Sequence, residues 1–223
     1  METLTPYPAA SFMGMLDPAD QLEIVSEGRP MTLPAGATLL FEGDLSDRVI
    51  VVLSGAVRVF ATASNGREVL VTVAGPGEIM GEMSAVDGLA HSASVNTLAE
   101  ADVILVPAAS FRVVMQRNAR VAFAVATRLT RELRRNLQQR VGIEALDVPT
   151  RLAQTIVALA DRLDVRAEGV ELPVSQRELA ESCGASREAV TKALATFRTR
   201  GWVSTDRRSV TVLDLEALRA RAS

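Results

Sequence analysis

The sequence predicts an α+β protein with an antiparallel β-roll, a long helix and a winged helix-turn-helix, on three observations. Short β-rich runs separated by glycine turns fill residues 29–106, and many short strands at this spacing indicate an antiparallel roll of the jelly-roll type. A long helical pattern without proline follows at 121–146. Two short helices joined by a tight turn, and then a β-hairpin, occupy residues 175–213.

Length and composition fit a globular protein rather than a membrane-spanning or disulfide-rich one. The chain has 223 residues, of which 48% are hydrophobic, and this is enough for two modest domains. No apolar run approaches the ~20 residues that span a bilayer, and the N-terminus lacks the pattern of a signal peptide. The single cysteine, Cys183, excludes an internal disulfide and a cysteine-based metal cluster. We therefore expect a cytoplasmic protein with no membrane partner.

The β-roll is predicted from seven β-rich runs and the turns between them. Asn65-Gly66 is the strongest two-residue hairpin signal. Short helices are predicted on either side of the roll, at 18–25 and 108–116. The predicted strands are 31–33, 38–41, 49–53, 56–61, 69–73, 92–97 and 102–106.

The long helix is predicted to join two copies of the chain. A helix of ~26 residues is about 39 Å long, which is more than a domain of this size can cover. Its apolar positions alternate in steps of three and four residues between charged flanks, a pattern typical of a parallel two-stranded coiled coil. An intramolecular core helix is the alternative. The seam consists of Ala122, Ala126, Leu129, Leu133, Asn136 or Leu137, and Arg140, and the flanks are Arg128, Arg131, Arg134 and Arg135.

Asp147-Val-Pro149 predicts the end of the long helix and a hinge, because proline cannot continue a helix and restricts the residue before it. An amphipathic helix at 150–163 and a short strand at 170–173 are predicted next. We therefore divide the chain into three parts. These are the β-roll domain at 1–120, the long dimerisation helix and hinge at 121–147, and the winged helix-turn-helix at 148–223.

The helix-turn-helix is predicted from its caps and its apolar stripe. Ser175 and Glu178 form a capping box at the start of the first helix. Gly184 supplies the tight turn, and Ser186 caps the second helix. The buried stripe of the second helix is expected to consist of Val190, Leu194 and Phe197, which recur at helical spacing.

The opposite face of that second helix carries side chains that can read DNA. In the major groove, arginine and lysine bind guanine, glutamate accepts from cytosine, and a threonine methyl group contacts thymine. An ordinary helical hairpin with a solvated charged face is the alternative. The predicted base-reading residues are Arg187, Glu188, Thr191 and Lys192, and the predicted phosphate contacts are Ser186, Arg177 and, at the tip of the wing, Arg207 and Arg208.

Local charge favours DNA binding although the net charge of the chain is −3. Residues 175–213 hold seven basic and four acidic side chains and are therefore +3, which leaves −6 for the rest of the chain. Phosphates respond to the local charge of a surface rather than to the total charge.

Four segments of the sequence, at 76–84, 91–95, 147–153 and 184–194, match the motifs of a known family. Across essentially its whole length, the chain resembles the Crp–Fnr family of bacterial transcription regulators. It resembles the cyclic-AMP-receptor-like branch, since the N-terminal cysteines of the iron–sulfur branch are absent. The resemblance implies a homodimer that binds a pseudo-palindromic site on double-stranded DNA, with RNA polymerase as a further partner. The segments that carry it are Gly-Ala-Ser-Arg-Glu-Ala-Val-Thr-Lys-Ala-Leu at 184–194, Asp-Val-Pro-Thr-Arg-Leu-Ala at 147–153, Pro-Gly-Glu-Ile-Met-Gly-Glu-Met-Ser at 76–84 and His-Ser-Ala-Ser-Val at 91–95.

The same resemblance implies a cyclic-nucleotide-binding β-roll. Gly81-Glu82 matches the family's Gly-Glu pair, whose carboxylate takes the ribose hydroxyl. His91 stands where the family has the arginine that binds the cyclic phosphate. The base contacts of the family align with Asn136 and Leu137, so one of the two polar groups is lost. The ligand-binding residues implied are Gly81, Glu82, His91, Ser92, Ala93 and Asn136.

His91 leaves three readings of this pocket open, because histidine is shorter than arginine, lacks its bidentate fork and is mostly neutral at pH 7. In the first, the pocket still binds cyclic AMP or another cyclic nucleotide. In the second, it binds a different small ligand or none, and the protein binds DNA without a cyclic nucleotide. In the third, His91 responds to pH or to a metal, which the lack of a second His or Cys nearby disfavours. We expect no metal cofactor.

An enzyme is the rival class of protein. A cupin-like metal oxygenase or isomerase would place several histidines and carboxylates inside the roll. The chain has one histidine, and it has no Ser-His-Asp or Cys-His arrangement. A cyclic-nucleotide sensor that controls a protein partner is a third class, against which the helix-turn-helix argues. We expect a regulator and not an enzyme.

Overall fold

The computed structural model describes residues 7–45, 47–64, 66–163, 169–206 and 209–223, apart from the side chains at 139, 140, 143 and 144. The chain forms two compact units. One comprises Met1–Glu68 and Thr72–Glu132, and the other comprises Val69–Val71 and Leu133–Ser223. The predicted α+β class and the order of its parts, from β-roll to long helix to helix-turn-helix, are confirmed.

Two four-stranded sheets form the roll, and their strand orders are β1-β8-β3-β6 and β2-β7-β4-β5. The described pairings are antiparallel, such as that of β1 with β8 and of β4 with β7. The strands are β1 (Arg29–Leu33), β2 (Thr38–Leu40), β3 (Arg48–Val52), β4 (Val57–Thr62), β5 (Glu68–Ala74), β6 (Ile79–Met80), β7 (Ser94–Thr97) and β8 (Ala101–Pro107). All seven predicted strands are present, and β6 is additional.

Strand β3 is buried on both faces, which explains its unbroken apolar run. Val49 and Val51 pack in one cluster with Phe12 and Phe111, where helices cover the sheet. Ile50 and Val52 point the other way, because side chains alternate along a strand. They pack in a second cluster, with residues of β2, β4 and β7.

The hairpin between β4 and β5 lies where Asn65-Gly66 predicted it, since these two strands are neighbours in one sheet. Gly66 has a φ of 77°, the left-handed conformation that such a turn requires. Asn65 itself lies outside the described residues.

The helices of the first unit are α1 (Pro18–Ser26), α2 (Glu82–Asp87) and α3 (Ala108–Arg117), preceded by a 3₁₀ turn at Met13–Met15. The long helix α4 spans Ala119–Ala145, so it begins two residues before its predicted start. Its first turns bury Val121, Ala124 and Val125 against the core.

The predicted seam of α4 needs correction at two positions. Ala122 and Leu129 are half-buried, and Leu129 packs on the core of the first unit, so neither belongs to the exposed face. The large apolar side chains that the described part of α4 exposes lie within an arc of about 80° at 100° per residue, on the side opposite to the core. They are Phe123, Leu133, Leu137 and Val141. The side chain of Arg140 lies outside the described part.

The remaining helices are α5 (Val148–Arg162), α6 (Gln176–Ser182), α7 (Arg187–Thr199) and α8 (Leu215–Ala222). A three-stranded sheet, β10-β11-β9, joins β9 (Val170–Leu172), β10 (Val203–Thr205) and β11 (Val210–Val212). The predicted hinge is shorter than expected, because Val148 and Pro149 already belong to α5. Asp147 is the N-cap, and proline is favourable in the first turn, where its missing N–H has no helical acceptor. The three-part division into 1–120, 121–147 and 148–223 stays a prediction.

Candidate functional site

Helix α7 is amphipathic, and its buried side fixes the direction of its polar side. The Ser186 hydroxyl accepts a hydrogen bond from the Ala189 N–H and starts the helix, as predicted. Val190, Leu194 and Phe197 are buried and anchor one face. Because these apolar positions recur at helical spacing, the opposite face points into solvent.

That exposed face carries the four residues predicted to read bases. Arg187, Glu188, Thr191 and Lys192 are all exposed. Within the described residues, the side chains of Arg187, Glu188 and Lys192 form no hydrogen bond or ion pair. The Thr191 hydroxyl lies 2.8 Å from the Arg187 carbonyl oxygen and 3.1 Å from Gln176 Oε1, so its methyl group is the part left for a base. The charged groups of this face are therefore available to an external partner.

The turn before α7 is held by its own caps and by an arginine of α5. The predicted capping box is present, with Ser175 and Glu178 bonding each other's backbone N–H. Arg151 donates from Nε to the Cys183 carbonyl (2.9 Å) and from Nη2 to the Gly184 carbonyl (3.2 Å). The orientation of α7 relative to α5 is thus fixed at the turn.

Two of the predicted phosphate contacts can be placed within this second unit. Ser186 is exposed at the N-terminus of α7, where backbone N–H groups favour an anion. Arg177 is exposed on α6 and forms an (i, i+4) ion pair with Glu181, with 3.1 Å between Nε and Oε1. A phosphate would have to compete with that carboxylate.

The wing is a hairpin of β10 and β11, closed by a 2.9 Å hydrogen bond from the Asp206 N–H to the Ser209 carbonyl. Arg207 and Arg208, predicted to hold a phosphate at its tip, lie outside the described residues. At the base of the wing, Trp202 packs on Phe197 with ring centroids 5.2 Å apart.

The predicted ligand pocket of the roll brings Gly81, Glu82 and His91 together. Gly81 has a φ of 85°, and an added Cβ would lie 2.9 Å from the Arg48 carbonyl oxygen and 3.5 Å from His91 Cε1. A side chain at position 81 therefore has no room. His91 is anchored through its backbone, since its N–H donates to the Asp44 carbonyl and its own carbonyl accepts from the Gly43 N–H.

The His91 ring is buried, because only 5% of the residue is exposed. Among the described residues its ring nitrogens make no hydrogen bond, which is unusual for a buried polar group. Ser92 is exposed and Ala93 is half-buried directly after it. Asn136 lies in the second unit and is exposed on α4.

Glu82 already has a partner, which the sequence analysis missed. Arg128 of α4 binds Glu82 Oε1 through Nη1 and binds Glu78 Oε2 through Nε at 3.2 Å. The side chains of Arg128, Glu78 and Glu82 are 15%, 16% and 6% exposed. Glu82 is therefore buried and its two partners are largely shielded from solvent, and we call this group the buried triad. The sequence pattern predicts Arg128 on the charged flank of the seam, and the structure shows instead that it pairs with these two carboxylates.

The charges of the triad determine how its members titrate. Burial raises the pKa of the Glu82 carboxyl, and the positive charge of Arg128 acts in the opposite direction. Burial alone would lower the pKa of Arg128, but the charges of Glu82 and Glu78 outweigh it and raise that pKa. Arg128 therefore stays cationic. It is bonded to two carboxylates, and the charge of a third, Glu132, also raises its pKa.

The sequence contained a signal for this triad. Arg128 lies seven residues after Val121 and three after Val125, which are core positions of α4, and residues at these separations share one face of a helix. A charged side chain on a core face needs a buried partner.

In the part of the chain that the structure describes, no group of three or more His, Cys, Asp or Glu residues could hold a metal ion. No described helix has both the length and the apolar character needed to cross a bilayer.

Two protein-family models match the chain, one over the β-roll and one over the helix-turn-helix. Residues 30–118 match the cyclic nucleotide-binding domain, and residues 150–221 match the Crp-like helix-turn-helix domain. The chain is 32% identical over 217 residues to the CRP-like cAMP-activated global transcriptional regulator of Mycobacterium tuberculosis, and the match covers 96% of each protein. The chain belongs to the Crp–Fnr family of transcription regulators.

Other members of the Crp–Fnr family are also similar. The cAMP-activated global transcriptional regulator CRP of Haemophilus influenzae is 28% identical over 160 residues, which cover 70% of this chain and 71% of that protein. The crystal structure of the Thermus thermophilus catabolite activator protein is 28% identical, with a TM-score of 0.53 over 95% of this chain and 97% of that one. Family membership makes this chain a DNA-binding transcription regulator that has a cyclic nucleotide-binding domain and acts as a dimer.

Proposed function

We propose that the protein reads a pseudo-palindromic site on double-stranded DNA as a symmetric homodimer, with the two α7 helices in successive major grooves about 34 Å apart. The observation that supports this most directly is the exposed, unpaired state of Arg187, Glu188 and Lys192 on a helix whose other face is buried. Arg187, Glu188, Thr191 and Lys192 would contact bases. Ser186, Arg177, Arg207 and Arg208 would contact phosphates.

The exposed apolar face of α4 is the proposed contact between the two copies. Phe123, Leu133, Leu137 and Val141 are 74%, 60%, 53% and 67% exposed. Large apolar side chains on one face of a long helix favour a parallel pairing with the same face of a second copy. Such a regulator would act in the bacterial cytoplasm, with RNA polymerase as its further partner and no catalytic activity of its own.

We also propose that this dimer binds DNA without a cyclic nucleotide. A cyclic phosphate needs a cation, and position 91 offers an imidazole in place of a guanidinium. The buried guanidinium of Arg128 is committed to Glu78 and Glu82. The pocket therefore offers an anion little positive charge that is not already balanced.

A cyclic-AMP-dependent activator with weakened ligand affinity is the second candidate. Glu82, Ser92 and Ala93 are retained, and the buried His91 ring lacks a hydrogen-bond partner among the described residues. A phosphate oxygen could satisfy that ring. The relatives from Mycobacterium tuberculosis and Haemophilus influenzae are cAMP-activated by name.

Mobility-shift titrations separate the two candidates. A DNA site is first selected from a random duplex pool with the purified dimer, once without and once with 1 mM cyclic AMP (about a thousand times a 1 μM dissociation constant). The salt concentration is fixed, because phosphate contacts make affinity salt-dependent. We expect the same site and the same affinity in both selections. Selection that succeeds only with cyclic AMP would support the second candidate, and no selection in either condition would contradict DNA recognition by α7.

A further inference from the structure

The buried triad of Glu78, Arg128 and Glu82 links the sheet of the first unit to the long helix α4. Glu78 precedes strand β6, and Glu82 is the first residue of α2, directly after it. Strand β6 pairs with strand β3, which is buried from Val49 to Val52, through Ile50 with Met80 and Val51 with Ile79. The two carboxylates are therefore carried by a rigid part of the roll, and Arg128 comes to them from another element.

Arg128 engages both carboxylates at once, each through a different nitrogen of its guanidinium. Its Nε serves Glu78 and its Nη1 serves Glu82. The guanidinium is planar and its donors point in fixed directions, whereas the ammonium of lysine is a compact charge at the end of a flexible stem. The triad thus fixes the direction in which the Arg128 side chain points, as well as its distance from the two carboxylates.

That direction sets the rotation of α4 about its own axis. The packing of Val121, Ala124 and Val125 is apolar and hence non-directional. Another ion pair of this part of the helix joins Arg120 to Asp20, and the Arg120 side chain is 68% exposed, against 15% for Arg128. A shift of the helix by one residue would turn Arg128 by about 100° and would take it away from both carboxylates. The cost of leaving buried charges unpaired opposes this shift.

The rotation of α4 decides which side chains it presents to a second copy. Phe123 and Ala126 lie about 140° and 160° from Arg128 around the helix, as the 100° step per residue requires. The triad therefore holds the core side of α4 inward and keeps the exposed apolar side turned outward. The same continuous helix leads to the N-cap of α5 at Asp147.

We propose that Arg128 is a positioning residue that fixes α4 in the DNA-competent arrangement of the dimer, so that a buried ion triad takes over, within the chain, the role of a bound ligand. This rests on the proposed DNA binding without a cyclic nucleotide. It adds to that proposal a particular residue on which the affinity for DNA depends, although the residue is buried in the other unit and does not touch DNA.

The experiment measures the affinity of full-length variants for the selected DNA site, without cyclic nucleotide and at fixed salt. Arg128→Lys keeps the positive charge and loses the planar guanidinium with its fixed donor directions. Arg128→Met removes the charge, and the double variant Arg128→Met with Glu82→Gln also removes the charge of the more deeply buried of the two carboxylates. Arg131→Met is the matched control. Arg131 lies one turn further along α4 and is exposed, and its guanidinium contacts the Ala10 carbonyl and the Met15 sulfur but no carboxylate among the described residues. Circular dichroism gives the folded fraction of each protein, and affinities are expressed per folded dimer.

We expect Arg128→Met and the double variant to bind DNA about 5- to 150-fold more weakly than the wild type, the range of a typical coupling between distant sites. Arg128→Lys should lose less, and Arg131→Met should match the wild type. A merely structural role would lower the folded fraction and leave the affinity per folded dimer unchanged. If Arg128→Met does not fold, the double variant and Arg128→Lys decide.

The outcomes for the two proposals differ. Wild-type affinity in both Arg128→Lys and the double variant would overturn the role of Arg128 and would leave ligand-independent DNA binding intact. A wild type that binds DNA only with cyclic AMP would overturn both.

Discussion

The charged residues of α7 and those around Glu82 differ in what they are bonded to. On α7, Arg187, Glu188 and Lys192 are exposed and form no ion pair within the described residues. In the pocket, Glu82 and Arg128 are buried and bonded to each other. Charged groups without internal partners are available to a second molecule, whereas buried charges that satisfy one another chiefly maintain a geometry. The first region is suited to binding DNA and the second to fixing the position of α4.

The largest expected effect is on stability, from the loss of the guanidinium in the pocket. Arg128→Met leaves Glu78 and Glu82 buried without their cation, so the free energy of unfolding should fall by about 3–5 kcal/mol. Urea titration followed by circular dichroism measures it. Arg131→Met, on the exposed side, should change it by no more than about 0.5 kcal/mol. Similar values for the two variants would mean that the triad is not buried in solution.

The two faces of α7 should respond in opposite ways to truncation. Leu194→Ala removes a fully buried side chain and should lower the free energy of unfolding by about 2–5 kcal/mol. Lys192→Ala should leave that free energy within about 0.5 kcal/mol of the wild type and should weaken DNA binding. Thermal or urea unfolding together with mobility shifts checks both. A strongly destabilised Lys192→Ala would place this lysine in the core instead.

Arg187→Ala should weaken binding to the selected DNA site by about 1–3 kcal/mol and relax the preference at one base position. Repeating the selection from a random pool with the variant shows whether that preference is lost. Arg219→Ala is a suitable control, because Arg219 pairs with Asp161 and Glu216 on the surface of the same unit. An unchanged base preference in Arg187→Ala would contradict the assignment of this face to the groove.

The smallest effect concerns a second buried carboxylate, Asp20, whose situation contrasts with that of Glu82. Hydrogen bonds from Arg120, opposed by burial and aided by Asn118, lower the pKa of Asp20 from 3.8 to about 2. A lowered pKa in the folded state means that Asp20 stabilises the fold fully above pH 3.8 and loses this contribution as the pH falls towards 2. Asp20→Asn should therefore weaken the dependence of the melting temperature on pH between 4 and 2. If the melting temperature of Asp20→Asn depends on pH between 4 and 2 in the same way as that of the wild type, Asp20 is not paired in solution.

The contrast between the regions also shows what could be predicted from the sequence. The caps at Ser175 and Ser186 and the stripe through Val190 are local signals with fixed spacing, so the helix-turn-helix and its polar face followed from them. Strand β6 was missed because two residues show no periodicity. The sequence pattern places Leu129 on the seam because apolar residues recur in steps of three and four on both sides of α4. The spacing alone therefore does not tell the seam from the core side.

The pocket was harder to predict because its bonds join residues that are distant in the chain. Glu82 and Arg128 are 46 positions apart, and no local pattern connects them. The family resemblance supplied the positions of Gly81, Glu82 and His91, but it did not supply the arginine that occupies Glu82. Only the packing of α4 on the roll brings these groups together.

Calorimetry with cyclic AMP tests most directly the claim that Arg128 already occupies Glu82, so that the pocket does not bind a cyclic nucleotide. The purified wild-type dimer and the His91→Arg variant are titrated under the same conditions, with cyclic GMP as a second ligand. We expect no binding heat from the wild type and measurable binding by His91→Arg, because the variant gains a cation that Glu78 and Glu82 do not already neutralise. A wild-type dissociation constant of about 1 μM or tighter, worth about 8 kcal/mol, would contradict the account.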